Sequence, residues 1–170
     1  LHLCDRRQRQ MCIRDSPVPF INGQCQVSGK KAQGVVLKKE LTGGTDIFQI
    51  DYTSAYATAV PELEKLIRTF TYNRAGEGTF VIEDRFEAVS GISFETAITT
   101  RADWKMIGNN RLELVLGGEK MTVDIEAPGV VEFDSETVEV NSPAYTRIGI
   151  RLKKPLQSGS VRLIMYPSRP

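Results

Sequence analysis

The sequence predicts an all-β fold, an antiparallel β-sandwich of about ten to twelve strands. Three observations predict it. Short runs rich in Val, Ile, Phe, Thr and Tyr recur from Phe20 to Tyr166, and these side chains suit a pleated surface. Clusters of Gly, Pro, Asn and Ser interrupt the runs roughly every 8–12 residues. The strand–helix alternation that marks a parallel sheet is absent. The stretch Thr79–Glu87 anchors the pattern: Phe80, Val81 and Ile82 read as a buried strand running into Glu83, Asp84, Arg85 and Glu87. A strand apolar on both faces belongs in the middle of a sheet, and charge at its end needs a partner or water.

The elements follow in order. Phe20–Val27 reads as a short strand broken at Gly23, with Cys25 and Val27 on one face and Gln24 and Gln26 on the other. Gly34–Leu41 and Asp46–Thr53 are strands separated by the Thr42–Thr45 turn. The Ala-rich Ser54–Val60 forms a helical turn ahead of Pro61. Leu63–Asn73 fits both helical and alternating spacing, and its β-rich tail Thr69–Tyr72 favours strand. Thr79–Val89, Ser93–Thr100 and Leu112–Leu116 follow, and Gly117-Gly118 joins the last of these to Met121–Ile125 as a hairpin. Val130–Phe133, Thr137–Val140, Tyr145–Leu152 and Val161–Tyr166 complete the set. In Tyr145–Leu152, Ile148, Ile150 and Leu152 share one face, and Arg147, Gly149 and Arg151 the other.

The first sixteen residues stand apart. Leu1–Ser16 holds the only histidine, His2, two of the three cysteines, Cys4 and Cys12, and the basic run Arg6-Arg7-Gln8-Arg9. Over eleven residues, Arg6–Ser16 back-translates in register to a string resembling a transposase-based sequencing adapter. We therefore set residues 1–16 aside as an adapter-derived artefact, expected to be disordered, and treat 17–170 as one domain. Of 22 basic and 21 acidic residues, the segment carries four Arg and two Asp, which leaves 18 and 19. That near-neutral balance leaves no basic footprint for nucleic acid. With no histidine and only Cys25, neither a Cys/His nucleophile pair nor a His- or Cys-rich metal site can be built. No apolar run approaches the roughly 18 residues of a membrane span.

Three constellations could carry chemistry. Asn22, Gln24 and Gln26 present amides, each both donor and acceptor, which suits sugar hydroxyls; the alternative is a solvated strand face. Asp51 closes a strand ahead of Tyr52 and Tyr56. It could ligate a metal or cap the following turn, and a tyrosine could transfer protons if its pKa were lowered. Glu83 and Asp84 point to opposite faces of a strand, so they do not flank one bond as a glycosidase pair would. Glu83 and Arg85 share a face and read as a structural ion pair.

The order and spacing of Pro19-Phe20-Ile21-Asn22-Gly23-Gln24, Asp51-x-Thr53-x-Ala55-Tyr56, Arg68-Thr69, Val81–Phe86 and Tyr145–Ile148 resemble the heparinase II/III-like family, in its C-terminal β-sandwich domain. The resemblance covers Pro17 to Pro170. It implies part of a polysaccharide lyase acting on uronate-containing glycans of the heparin, heparan sulfate or alginate kind, located in the periplasm or secreted (cytoplasmic in some relatives). The family's reaction is β-elimination: a base takes the C5 proton of the uronate and the 4-linked sugar leaves. Neutralising the neighbouring carboxylate stabilises the enolate-like intermediate. The family's proton-transferring Tyr lies on an N-terminal helical domain absent here, so no catalytic residue is assigned to this chain.

The resemblance also implies a metal, zinc in some relatives, held by His ligands and an Asp that matches Asp51. The family's His just before the segment matching Val18–Gly23 falls at about Ser16, and no histidine follows His2. No metal is therefore expected to bind this fragment alone. The competing reading is a carbohydrate-binding or structural sandwich without lyase activity. A clone sequenced with unrelated adapters is expected to carry different residues ahead of Pro17; the same sixteen residues would restore the basic arm as a real feature.

Overall fold

In a computed structural model of the chain, which describes residues 16–139 and 143–168, two antiparallel sheets enclose the core. The adapter-like segment up to Asp15 lies outside the described residues. Twelve strands and one short helix run in the order β1 (Phe20–Ile21), β2 (Val35–Leu41), β3 (Thr45–Asp51), α1 (Thr53–Tyr56), β4 (Leu63–Asn73), β5 (Thr79–Ile92), β6 (Phe94–Thr100), β7 (Asp103–Gly108), β8 (Arg111–Leu116), β9 (Glu119–Glu126), β10 (Val131–Val138), β11 (Tyr145–Leu152) and β12 (Leu156–Pro167). One sheet has four strands ordered β1-β6-β11-β10; the other has eight, ordered β2-β3-β4-β5-β12-β9-β8-β7. The sandwich expected from the strand pattern is the fold observed, and Thr79–Glu87 lies in β5, well inside the larger sheet. Among the described residues no helix is long and apolar enough to cross a membrane.

The core follows from alternation. Leu66, Phe86, Ile92, Leu112, Val123, Val161 and Leu163 of the large sheet face Ile21, Phe94, Ile148 and Ile150 of the small one, all at 1 % exposure or less. The rings of Phe86 and Phe94 stack across the interior at 4.6 Å between centroids. Four strands cannot cover eight. The outermost strands of the large sheet show this: β2 is exposed along its whole length and β7 nearly so. Lys38 and Lys39 and a register shift between Val36 and Lys38 mark β2, features that discourage pairing along a free edge.

Four expectations change. Phe20–Val27 is strand only over Phe20–Ile21, because Asn22 and Gly23 adopt positive φ (50° and 69°) and turn the chain back on itself. Ile21 and Gln24 then exchange both backbone hydrogen bonds, at 2.9 and 2.8 Å, the geometry of a tight Asn-Gly turn. Val130–Phe133 and Thr137–Val140 do not form two strands: Val131–Phe133 and Thr137–Val138 belong to the single strand β10, which pairs with β11 without a break, and Val140 lies outside the described residues. Asp134–Glu136 is polar because it lies near the sheet's edge, not because it turns. β7 was not expected; Trp104 packs toward the core from it, but Lys105 and Asp103 break the apolar signal.

The fourth change concerns charge. Glu83 and Arg85 do not pair: the Glu83 carboxylate accepts from Ser160 Oγ at 2.8 Å, and Arg85 reaches Glu87 at 3.3 Å. The buried ion pair is instead Arg68 with Asp84, directly opposed on β4 and β5. Arg68 Nε and Nη2 donate to Asp84 Oδ1 and Oδ2 at 2.6 and 2.7 Å, with the residues 5 % and 1 % exposed. Thr96 Oγ1, from the small sheet, donates to Asp84 Oδ2 at 2.8 Å. Burial opposes the Arg68 charge, but Asp84 outweighs it and raises the guanidinium's pKa.

Breaking such a pair from one side leaves a buried charge unpaired, a cost of about 3–5 kcal/mol. Arg68→Met and Asp84→Leu are each expected to lose stability on that scale in urea denaturation, and the Arg68→Met/Asp84→Leu double variant less than the sum. Full additivity would show that the two side chains do not act as a pair.

Candidate functional site

Of the residues singled out by sequence, Asp51, Tyr52, Tyr56 and Gln26 lie around α1, beside the segment Pro17–Pro19. There, β3 ends at Asp51, α1 turns the chain, and β4 returns. Thr53 Oγ1 accepts from the Leu66 backbone N–H at 2.8 Å, and the Tyr52 N–H donates to the Leu66 carbonyl at 2.8 Å, so α1 is fastened to the start of β4. Asp51 Oδ1 accepts from the Thr53 N–H at 2.8 Å. The Asp51 carboxylate thus caps the turn that follows it, the structural alternative set beside a ligand role above.

The entering segment is held from below. Arg68 Nη1 donates to the Pro17 carbonyl at 3.0 Å, and the Tyr56 hydroxyl donates to the Pro19 carbonyl at 2.7 Å. Tyr56 is fully buried. Burial drives its pKa far up, with Arg68 opposing and Asp84 adding to the shift. Its phenol therefore stays protonated as a donor and is not a base for proton transfer. Farther along, the Val27 N–H donates to the Ala55 carbonyl at 2.8 Å, laying residues 24–27 beside α1.

The three amides have different surroundings. Asn22 Oδ1 accepts from the Ser93 N–H at 2.9 Å, and the Asn22 N–H donates to the Ser93 carbonyl at 3.0 Å, so this side chain pins the turn to the β5–β6 corner. Gln24 is exposed and Gln26 half-buried. The structure brings Gln26 and Asp51 to the two flanks of α1, while Asn22 is tied to a different corner. Cys25 is buried, and burial raises its thiol pKa, which suits packing rather than nucleophilic attack.

A metal is poorly served. Among the described residues no three of His, Cys, Asp and Glu come together as a ligand set. A zinc site takes three or four protein ligands, and Asp51 offers one carboxylate already engaged by Thr53. The residues present do not fit the group, and no step is derived through it.

Two further features escaped the sequence reading. A groove of about 590 Å³ crosses the outer face of the large sheet, lined by Glu77, Thr79, Glu113, Thr122, Tyr166 and Ser168. Tyr166 donates to Asp124 at 2.8 Å, and Arg111 grips the same carboxylate through Nε and Nη2. Glu113 pairs with Lys105 at 2.8 Å, which holds its carboxyl below the usual range. On the opposite side of the molecule, Arg147 and Glu95 form a second buried ion pair, at 2.8 Å. Alternation had placed Arg147 on the face away from the core, and it does lie there, yet it is only 5 % exposed. The available signal was Gly149: a glycine inside a strand marks the close approach of other groups.

Comparison with known proteins gives a fold match. No protein-family model and no curated protein matches the chain in sequence. Among solved structures, a mutant of heparan sulfate lyase HepC from Pedobacter heparinus superposes with a TM-score of 0.75 at 14 % identity, over 100 % of this chain and 27 % of that one. A heparinase III, the BT4657 gene product, superposes with a TM-score of 0.72 at 12 % identity, over 96 % and 26 %. Another heparinase III gives 0.63 at 17 % identity, over 89 % and 23 %. The chain thus has the sandwich fold found in these lyases and spans about a quarter of their length.

The clamp on the entering segment is testable. Tyr56→Phe removes a buried donor and leaves the Pro19 carbonyl without it, so a loss of about 1 kcal/mol is expected in urea denaturation. An unchanged midpoint would show that the Tyr56–Pro19 bond does not hold the segment.

Proposed function

We propose that this chain is the C-terminal β-sandwich of a heparinase II/III-like polysaccharide lyase that cleaves uronate-containing glycans by β-elimination. The observation that carries the reading is the superposition of the entire chain on a heparan sulfate lyase. It supports the resemblance found in the motif order, which rests on different information. The span of about a quarter of each neighbour supports the further reading that most of the lyase lies on a preceding helical domain.

The chemistry of the described residues is consistent with that division. Abstracting the weakly acidic C5 proton needs a base placed beside it and groups that neutralise the uronate carboxylate. Tyr56 is buried with its phenol held protonated, Arg68 is consumed by Asp84, and no histidine follows His2. The contribution of this domain is then positional. It holds the chain at Pro17–Pro19 and offers Gln24 and Gln26, with the remaining amide hydrogens of Asn22, to a glycan lying over the entry end. The longer protein would act where its glycan is met, in the periplasm or outside the cell.

The test uses the ultraviolet absorbance of the unsaturated uronate product. Heparin, heparan sulfate and alginate are each incubated with this 170-residue chain and with the longer protein read from an uncontaminated frame. The chain alone is expected to release no product and the longer protein to release it from at least one glycan. Turnover by the chain alone would overturn the division of labour. No turnover by the longer protein on any of the three would favour a carbohydrate-binding or structural module.

A further inference from the structure

The two buried arginines among the described residues are used differently. Arg68 spends its Nε/Nη2 edge on both oxygens of Asp84. Arg147, equally buried at 5 % exposure, donates Nη1 to Glu95 Oε1 at 2.8 Å; its Nε and Nη2 meet no acceptor among the described residues. A buried guanidinium edge left without acceptors is costly, and the Nε/Nη2 fork is the edge suited to gripping two oxygens side by side.

The surroundings select the kind of oxygen. Arg147 lies on β11, on the outer face of the small sheet. Gly149, two residues on and on the same face, leaves the space in which the groups converge: a Cβ there would stand 2.9 Å from Glu95 Oε1 and 3.2 Å from Arg147 Nη1, and would collide with Asp134 Oδ1. Glu95 already balances the Arg147 charge. Asp134, exposed and opposite Gly149 on β10, adds a second carboxylate; along the same face Glu136 stands directly opposite Arg147, and Glu132 stands opposite Arg151 and pairs with it. A third anion would be repelled. Neutral oxygens that accept from Arg147 and can also donate to Asp134 satisfy both sides, and adjacent hydroxyls on a sugar ring do this.

The cover is an aromatic ring. Phe20 lies over the guanidinium, with Cζ 4.4 Å from the ring centroid. It belongs to a two-residue strand at the edge of the small sheet, paired only with β6; the fork is closed to solvent in this structure, and binding there requires the Phe20 side chain to take another rotamer, a change that breaks no backbone ladder. We propose that the free Nε/Nη2 edge of Arg147 is a subsite for two neighbouring hydroxyls of a sugar, with Asp134 accepting a hydrogen bond from the same ring. This subsite does not depend on the lyase reading and would serve a non-catalytic glycan-binding module equally.

The test is an NMR titration of the 170-residue chain with a neutral cello-oligosaccharide and with an alginate oligosaccharide, at low and high salt. Both are expected to shift the Arg147 Nε–H resonance, and the affinity for the neutral sugar to change less than about twofold with salt. Arg147→Lys, which keeps the charge and loses the fork, is expected to weaken binding about tenfold. Asp134→Ala, at an exposed position, should weaken it several-fold while leaving the fold intact, which keeps the test open if the Arg147 variant fails to fold. The proposal is overturned if neither sugar moves the Arg147 resonance, if a folded Arg147→Lys chain binds as well as the parent, or if only alginate binds and salt abolishes it. Loss of product in the lyase assay would not bear on it.

Discussion

The buried contact between Arg68 and Asp84 is the constraint on which the rest of the structure depends. It sits between two central strands of the large sheet, facing inward among Leu66 and Phe86. Two charges there would be untenable singly, so each residue fixes the other's rotamer. The pair then reaches outward: through Thr96 it engages the small sheet, and through Arg68 Nη1 it holds the Pro17 carbonyl. One bidentate contact sets the register of β4 against β5, ties the two layers together and places the chain's entry. Tyr56, beside it, fastens the same entry segment two residues on.

Within that arrangement Arg68, Asp84 and Tyr56 spend their polar groups inside the molecule, while the exposed Asn22 commits its amide oxygen to the Ser93 N–H. The large sheet, twice as wide as the small one, leaves a broad outer face crossed by cross-strand charge pairs such as Arg162 with Glu126 and Arg111 with Asp124. These are exposed pairs of modest energetic weight, and they keep that face polar.

Arg147 with Glu95 repeats the Arg68–Asp84 motif on the outside of the small sheet but leaves it half complete. The difference between the two arginines is local. Asp84 stands directly across the ladder from Arg68, so both carboxylate oxygens meet the fork. Glu95 lies diagonally from Arg147, opposite Arg151 instead, and a longer side chain arriving at an angle offers one oxygen. Glu136 does stand directly across the β10–β11 ladder from Arg147, so an acidic residue in register is not by itself enough; the carboxylate that meets the Arg147 guanidinium is the diagonal Glu95.

By itself the sequence determined the class of fold, most strand positions and the central place of Thr79–Glu87. These depend on local alternation and turn residues, which are written in consecutive positions. It also exposed the poverty of catalytic groups, since a missing histidine is visible without coordinates. It could not determine partners. Glu83 and Arg85 share a face of β5, yet Glu83 takes its hydrogen bond from Ser160 across the ladder on β12, and Arg85 reaches Glu87 farther along β5. Asp51 could be read as a ligand until its carboxylate met the Thr53 N–H. Asn22-Gly23 read as a broken strand because a positive φ has no signature in alternation. Alternation set Arg147 on the face opposite Ile148 and Ile150 but gave no sign of its burial, because only the folded sheet brings Phe20 and Glu95 against it. Ladder register joins residues tens of positions apart, and tertiary structure alone supplies it.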